Sequence, residues 1–179
     1  MTFKESLRSD LKKIVSVGIP VLAFAIAYVV SKGNFAEKPL MPQYEAQREA
    51  FAKIRSSYWA GVHIPAMCGI KYSVLKEEAD DVAKKYRDRN EEPLEVVKSV
   101  MDAQVMKIGG AEEVRHFHSV FEAGLKIATP RMEKEAQPFM TSQGDCSRVM
   151  SNIRDGSLDF MTINKREVAI IWGSTERRH

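Results

Sequence analysis

The chain has 179 residues, of which 44% are hydrophobic and 28% are charged, with 10 Gly and 7 Pro. This length suits one compact domain, and the composition excludes a collagen-like, low-complexity or wholly disordered chain. The 27 basic and 24 acidic residues are interleaved along the sequence, so the net charge of +3 forms no basic stripe of the kind that binds nucleic acid.

The first predicted element is an apolar run near the N-terminus. Residues 14–30 (IVSVGIPVLAFAIAYVV) contain no charged side chain and lie between Lys13 and Lys32. At 1.5 Å per residue a helix of this length covers roughly 26 Å, close to the hydrocarbon thickness of a bilayer. We therefore expect a basic tail over residues 1–13 and a single transmembrane anchor over 14–31. The anchor residues in this prediction are Ile14, Pro20, Tyr28 and Val30.

Two other interpretations of the apolar run are open. The run could be a cleavable signal peptide, because Ala23, Ala25 and Ala27 have the spacing that a signal peptidase reads, or it could be a buried core helix. It continues through Val30 past these cut sites, which favours an uncleaved anchor. Basic residues precede the run, so we expect a cytoplasmic N-terminus and residues 32–179 on the other side. In a bacterium this would be a single-pass inner-membrane protein with a periplasmic domain.

The two cysteines of the chain, Cys68 and Cys146, both follow the apolar run. A pair of cysteines in an oxidising compartment indicates one disulfide, and neither residue belongs to a CxxC or a metal-ligand spacing. The alternative is two buried free thiols, because cysteine packs as a small hydrophobic residue. We predict the disulfide.

Residues 32–42 are predicted to be a linker, residues 43–173 the folded domain, and residues 174–179 a polar tail. The spacing of apolar side chains predicts five helices, which cover 43–62, 65–89, 91–108, 111–129 and 142–155. Pro65 is expected to interrupt or restart the first of them, Pro93 to open the third, and Pro130 to end the fourth. Gly109 and Gly110 are expected to stop the third helix, and Gly156 the fifth. The predicted fold class is therefore all-α, with the transmembrane helix followed by a small bundle of four to five helices.

The C-terminal part of the domain is rich in β-branched and aromatic residues. Residues 160–163 and 168–172 are separated by four polar residues, a spacing that permits a short β-hairpin. A lone hairpin is marginal in water, so it must pack on the helices or pair with another chain. Aromatic and aliphatic residues of this kind serve as anchors at protein interfaces. The candidate partner-binding residues are Trp59, Phe160, Ile170, Ile171 and Trp172.

The sequence lacks the common hydrolase, metalloprotease and nucleotide-binding motifs. His116 and His118 lie two positions apart, so on a helix their imidazoles point in different directions; we expect His116 to be exposed and His118 to lie beside the apolar stripe. His63, Met67 and Cys68 form a copper-compatible set, which a disulfide at Cys68 would remove. We therefore predict no metal, no cofactor and no enzymatic activity.

A basic tail, one anchor and a small disulfide-bearing outer domain make a layout similar to that of minor subunits of bacterial envelope machines, including secretion and conjugation systems. The similarity lies in the layout and covers no motif. It implies a structural or accessory subunit that contacts the bilayer through residues 14–30 and binds other envelope proteins in a hetero-oligomeric complex. The alternative is an envelope enzyme or small-ligand-binding protein, which a pocket gathering His118 and Glu122 would favour.

Overall fold

A computed structural model describes residues 42–173 of the chain, and these residues form helices and turns without a strand. There are two long helices, α1 (Pro42–Lys71) and α2 (Lys76–Ala136), and three short ones, α3 (Gln143–Arg154), α4 (Phe160–Ile163) and α5 (Lys165–Ile171). Short 3₁₀ turns at Ser73–Leu75 and Gln137–Phe139 precede and follow α2. The predicted tail, anchor and linker over residues 1–41 and the polar tail over 174–179 lie outside the described residues.

Helix α2 consists of two arms that meet at Gly110. The backbone there has φ 74° and ψ −167°, a conformation that residues with a Cβ rarely adopt. The first arm (residues 76–109) runs antiparallel to α1, so that Ala79 faces Gly69 and Tyr86 faces Gly61. The second arm (residues 111–136) returns along α1 and brings its phenylalanines against Phe51. The expected helix stop at Gly110 is therefore confirmed as a sharp bend.

Helices α3, α4 and α5 together form the fourth side of the bundle. Cys146 of α3 lies against Cys68 of α1, and at the other end of the bundle the Gln47 side chain donates to the carbonyl oxygen of Ile171 over 3.3 Å. The chain therefore enters and leaves the described bundle at the same end. The predicted helical bundle is confirmed, with α1 touching every other helix.

The core divides into two clusters along the bundle axis. The first, here called the aromatic end, contains most of the large rings, among them Phe51, Trp59, Phe117, Phe121 and Phe160. The second, here called the disulfide end, contains smaller residues around one tyrosine, among them Cys68, Ala79, Val82, Tyr86 and Cys146. Each cluster lies between α1 and α2. Helices α4 and α5 close the aromatic end, and α3 closes the disulfide end.

Three prolines that the sequence analysis placed at helix boundaries lie inside helices. Pro65 is within α1, and Pro93 and Pro130 are within α2. The predicted second helix (65–89) is divided in the structure, because residues 65–71 complete α1 and residues 72–75 connect the two long helices. Its remaining residues form one continuous arm with the predicted third helix. A proline inside a helix costs about 3 kcal/mol because it removes one backbone hydrogen bond. Here the cost is offset by packing, since each helix continues to bury side chains on both sides of its proline. The predicted breaks were wrong for this reason.

The predicted β-hairpin is also wrong, because residues 160–163 and 165–171 are helical. The buried positions Phe160, Asn164 and Ile171 recur at intervals of four and seven, which is the period of a helix facing a core. Strand propensity is a weak preference that packing overrides. The segment buries one face against α1 instead of pairing edge to edge.

The predicted fifth helix is confirmed almost at its expected bounds. Ser142 caps α3: its hydroxyl oxygen accepts a hydrogen bond from the Asp145 backbone N–H at 3.1 Å, and the Asp145 carboxylate accepts one from the Ser142 backbone N–H at 3.0 Å. This reciprocal pair is a capping box. Gly156, with φ 80°, follows the end of the helix as expected.

Candidate interaction site

The two cysteines are at bonding distance, as predicted. Their sulfur atoms lie 2.16 Å apart and their Cα atoms 5.7 Å apart, across a sequence separation of 78 residues. Both side chains are fully buried, one near the end of α1 and one in the first turn of α3. The bridge ties the start of the short C-terminal helices to the long hairpin of α1 and α2.

The candidate partner-binding residues do not form one exposed patch. Phe160 and Ile171 are fully buried, and Trp59, which we expected at the surface, is only 7% exposed. Ile170 is partly buried, and only Trp172 presents a substantial exposed fraction, 44%. Most of the segment that was expected to dock on a partner is therefore part of the aromatic end of the core.

Trp59 is covered because it lies between helices and carries a stacked imidazole. The rings of Trp59 and His63 have centroids 4.6 Å apart and planes 11° from parallel. Desolvation beside the Trp59 ring lowers the pKa of His63. The pair occurs at positions i and i+4 of α1, a spacing that brings side chains together on one helix face.

The copper-compatible set of His63, Met67 and Cys68 lacks a free thiol, because the Cys68 sulfur faces that of Cys146. Across residues 42–173 there is no group of three or more His, Cys, Asp or Glu side chains placed to hold a metal ion. In the same range no helix is long and apolar enough to cross a bilayer.

The histidines of the second arm have separate surroundings. His116 is exposed, as expected, and the His118 Nε2 atom lies 2.7 Å from the Asp102 carboxylate of the first arm. Glu122 instead pairs with Arg55 of α1 at 3.3 Å. His118 and Glu122 therefore serve two different interhelical contacts and do not converge on a common pocket.

A polar network at the disulfide end was missed by the sequence analysis. Asp159 accepts hydrogen bonds from Arg89 at 3.0 and 3.1 Å and from the Asn90 amide at 2.9 Å. Arg89 also donates to the Ile153 carbonyl oxygen, and its hydrogen bond to Asp159 raises the pKa of its guanidinium. These residues are about 70 positions apart in sequence and lie among ordinary surface charges, so nothing local marks them. The network fixes the turn between α3 and α4 onto the first arm.

The first arm also carries an apolar groove that faces away from the core. We call its lining the outer stripe. It consists of Glu92, Glu95, Val96, Ser99, Val100, Ala103 and Gln104. Val96 is 49% exposed, and Ala103 is exposed as well. The inner face of the same arm buries Leu94, Val97, Met101 and Val105. The arm thus has two apolar faces, of which the bundle covers one.

Other exposed apolar side chains lie at the far end of the hairpin. Ile70 is 85% exposed and Val74 is 74% exposed, on either side of the connection between α1 and α2. Large contiguous patches of exposed apolar side chains often mark contact surfaces.

Comparisons with protein-family models, with curated proteins and with solved structures give no match for this chain.

Proposed function

We propose that the chain is a membrane-anchored, non-enzymatic accessory subunit of a cell-envelope complex, with its helical domain outside the cytoplasm. The observation that carries this proposal is the pairing of Cys68 with Cys146, because protein disulfides persist in oxidising compartments. The uncharged run at residues 14–30 supports it from the sequence, since export requires such a segment. Both cysteines follow that run, which agrees with export of the domain.

Partner binding is the second part of the proposal. The domain exposes aliphatic side chains at the hairpin tip, where Ile70 and Val74 stand beside Lys71. The tip is at the end of the bundle opposite Pro42, and α1 is about 45 Å long at 1.5 Å per residue. A domain held at its Pro42 end would therefore present this tip away from its attachment. Partners of the tip would be other envelope proteins.

The compartment is tested with reporter fusions to the full chain. A reporter enzyme that is active only outside the cytoplasm, placed after Lys38 or after His179, should be active, and the same reporter after Lys13 should be inactive. The intact mass of the membrane-bound protein should include the first 30 residues. Activity only in the fusion after Lys13 would overturn the proposed topology, and a mature chain beginning at Ile26 or Tyr28 would replace the anchor with a signal peptide.

The partners are tested by purification of the full chain from native membranes in mild detergent. We expect a defined set of co-purifying envelope proteins in the wild type and its loss in the double variant Ile70→Asp with Val74→Asp. Both positions are exposed, so the variant should keep its helical circular dichroism. The matched control is Ile127→Asp, a residue 63% exposed on the second arm. Recovery of the same set with the double variant would exclude the hairpin tip as the partner surface.

A further inference from the structure

The charged side chains along the outer stripe differ between its two ends. Its acidic members, Glu92 and Glu95, stand at the N-terminal end of the stripe, and exposed Lys107 stands one turn beyond the other end. At 100° per residue, positions 92, 96, 103 and 107 fall within about 60° of one another around the helix. We include Lys107 in the outer stripe from here on. The stripe is then acidic at its N-terminal end, apolar in the middle and basic at its C-terminal end.

A surface with this order is complementary to itself when two copies are antiparallel. Rotation by 180° about an axis through the region of Ser99 and Val100 places Glu92 opposite Lys107 of the other copy. The same rotation places Val96 opposite Ala103. A two-fold axis repeats each contact twice, so a modest stripe supplies two ion pairs and two apolar contacts.

We propose that the outer stripe is a homotypic docking surface, and that a second copy of this chain occupies its groove with the two first arms antiparallel. The groove suits a helix because ridges of side chains from one helix fill the grooves of another. Its occupant is a second copy because the charges at its two ends complement each other only in reverse order. This inference does not depend on the compartment or the partners proposed above.

A parallel arrangement of two copies is disfavoured by the same charges. It would place Glu92 beside Glu92 and Lys107 beside Lys107, and like charges at close range destabilise a pair. Charged side chains at the rim of an interface steer orientation more than they add affinity. The stripe is short, about 22 Å from residue 92 to residue 107, so we expect a reversible dimer.

Cysteine cross-linking of the full chain in its membrane tests the orientation. Chains carrying Glu92→Cys and chains carrying Lys107→Cys, distinguished by a mass tag and mixed, should form a mixed disulfide on mild oxidation. Each variant alone should form little dimer, because its thiols would lie about 22 Å apart across the axis. Ser99→Cys alone should cross-link, since its position is close to the axis. The control is Lys126→Cys on the second arm, which should give only background.

The outcomes of this experiment are distinct. Efficient self-linking of Glu92→Cys with no mixed product would mean parallel pairing and would overturn the proposal. Cross-linking of every variant to the level of the Lys126→Cys control would also overturn it, because the stripe would then have no partner copy. The mixed product together with the Ser99→Cys product supports it.

Charge reversal provides a second, independent measurement. Glu92→Lys and Lys107→Glu should each weaken self-association of the full chain in detergent by about tenfold, because each change makes two symmetric contacts repulsive. The double variant with both changes should recover most of that loss, since the reversed stripe is again self-complementary. Lys126→Glu is the matched control and should have less than a twofold effect. Failure of the double variant to recover would overturn the charge pairing.

Discussion

The two ends of the bundle reach stability by different routes. At the aromatic end, rings from α1 and the second arm of α2 pack directly, with Phe51 and Phe121 centroids 5.0 Å apart and Phe51 and Phe117 centroids 5.8 Å apart. At the disulfide end, the helices meet through a glycine, a covalent bridge and a network of side-chain hydrogen bonds around Asp159. Large side chains can hold helices together through the apolar area that they bury. Small side chains let the helices approach more closely but bury less area, so the disulfide end also needs the covalent bridge and the hydrogen bonds.

The two ends differ in their interactions because different short helices pack against them. Helix α5 has about two turns and places Ile171 among the rings. Helix α3 instead contributes Cys146, Met150 and Ile153 to a cluster whose other members are mostly small.

Removal of the disulfide should cause the largest loss of stability, and the loss should be concentrated at the disulfide end. For a loop of this length the entropy relation gives about 4.5 kcal/mol, so Cys68→Ser, Cys146→Ser and the double variant should be destabilised equally. Urea denaturation of each variant measures the free energy of unfolding. Hydrogen exchange should increase most in α3 and least around Phe117. If both thiols of the wild type react with an alkylating reagent in the folded protein, the bridge is absent.

Truncation of the Phe117 side chain should cause a similar loss of stability at the aromatic end. Its ring is 1% exposed and contacts two other phenylalanines, so Phe117→Ala should cost about 4 kcal/mol. Phe117→Leu, which keeps most of the volume, should cost about 1 kcal/mol. Denaturation midpoints of the two variants give the comparison. A loss in Phe117→Ala of less than 2 kcal/mol would mean that the rings are loosely packed.

Enlargement of Gly61 should disturb the disulfide end through Tyr86. A Cβ at position 61 would lie 2.1 Å from the Cζ atom of a ring that is fully buried and donates its hydroxyl proton to the Ser57 carbonyl oxygen. Gly61→Ala should therefore cost about 2 kcal/mol through overpacking. Gly144→Ala in α3 is the control, since the nearest atom would be 3.7 Å away. That change should stabilise by about 0.5 kcal/mol through helix propensity, and thermal melting measures both.

Removal of the N-terminal cap of α3 should cause the smallest loss of stability. The contribution of the cap should depend on pH. Ser142→Ala should cost about 1 kcal/mol at pH 7 by removing the cap. Hydrogen bonds from the Thr141 and Ser142 hydroxyl groups lower the pKa of Asp145 in the folded protein. The Asp145 charge therefore stabilises the fold above about pH 4, and this contribution is lost as the pH falls through the lowered pKa.

Comparison of unfolding free energies at pH 7 and below pH 3 tests this dependence. Asp145→Asn should remove the part of the acid-induced loss that comes from the cap, while Asp80→Asn on the exposed face of the first arm should leave that loss unchanged. An equal acid-induced loss in Asp145→Asn and in the wild type would contradict the role of the carboxylate.

Several features of the fold were predictable from local sequence. Apolar residues at helical spacing revealed the faces that carry Val82, Tyr86 and Phe117, and two cysteines in the same predicted compartment revealed their pairing. Ser142 and Gly156 marked the bounds of α3. These signals are local or depend on a simple count, so they do not require knowledge of the packing.

Other features could not be predicted because distant residues decide them. Burial on both sides keeps Pro65 and Pro93 inside helices, and contact with α1 makes residues 165–171 helical although their composition favours a strand. Asp159 has no local feature that marks its contact with Arg89. The outer stripe was missed for another reason: its charges and apolar residues are ordinary separately, and only their order along one face is informative.

The position of the disulfide determines how the domain would respond to mechanical force. Tension applied between Pro42 and Gly173 can extend only the chain before Cys68 and after Cys146, because the segment between these two residues, a sequence separation of 78, is closed into a covalent ring. At about 3.4 Å per residue, roughly 265 Å of contour length stays out of reach of the load until the bridge is reduced. Both arms of α2 lie within this ring and would bear no load, whereas most of α1 and the chain after Cys146 would be extended.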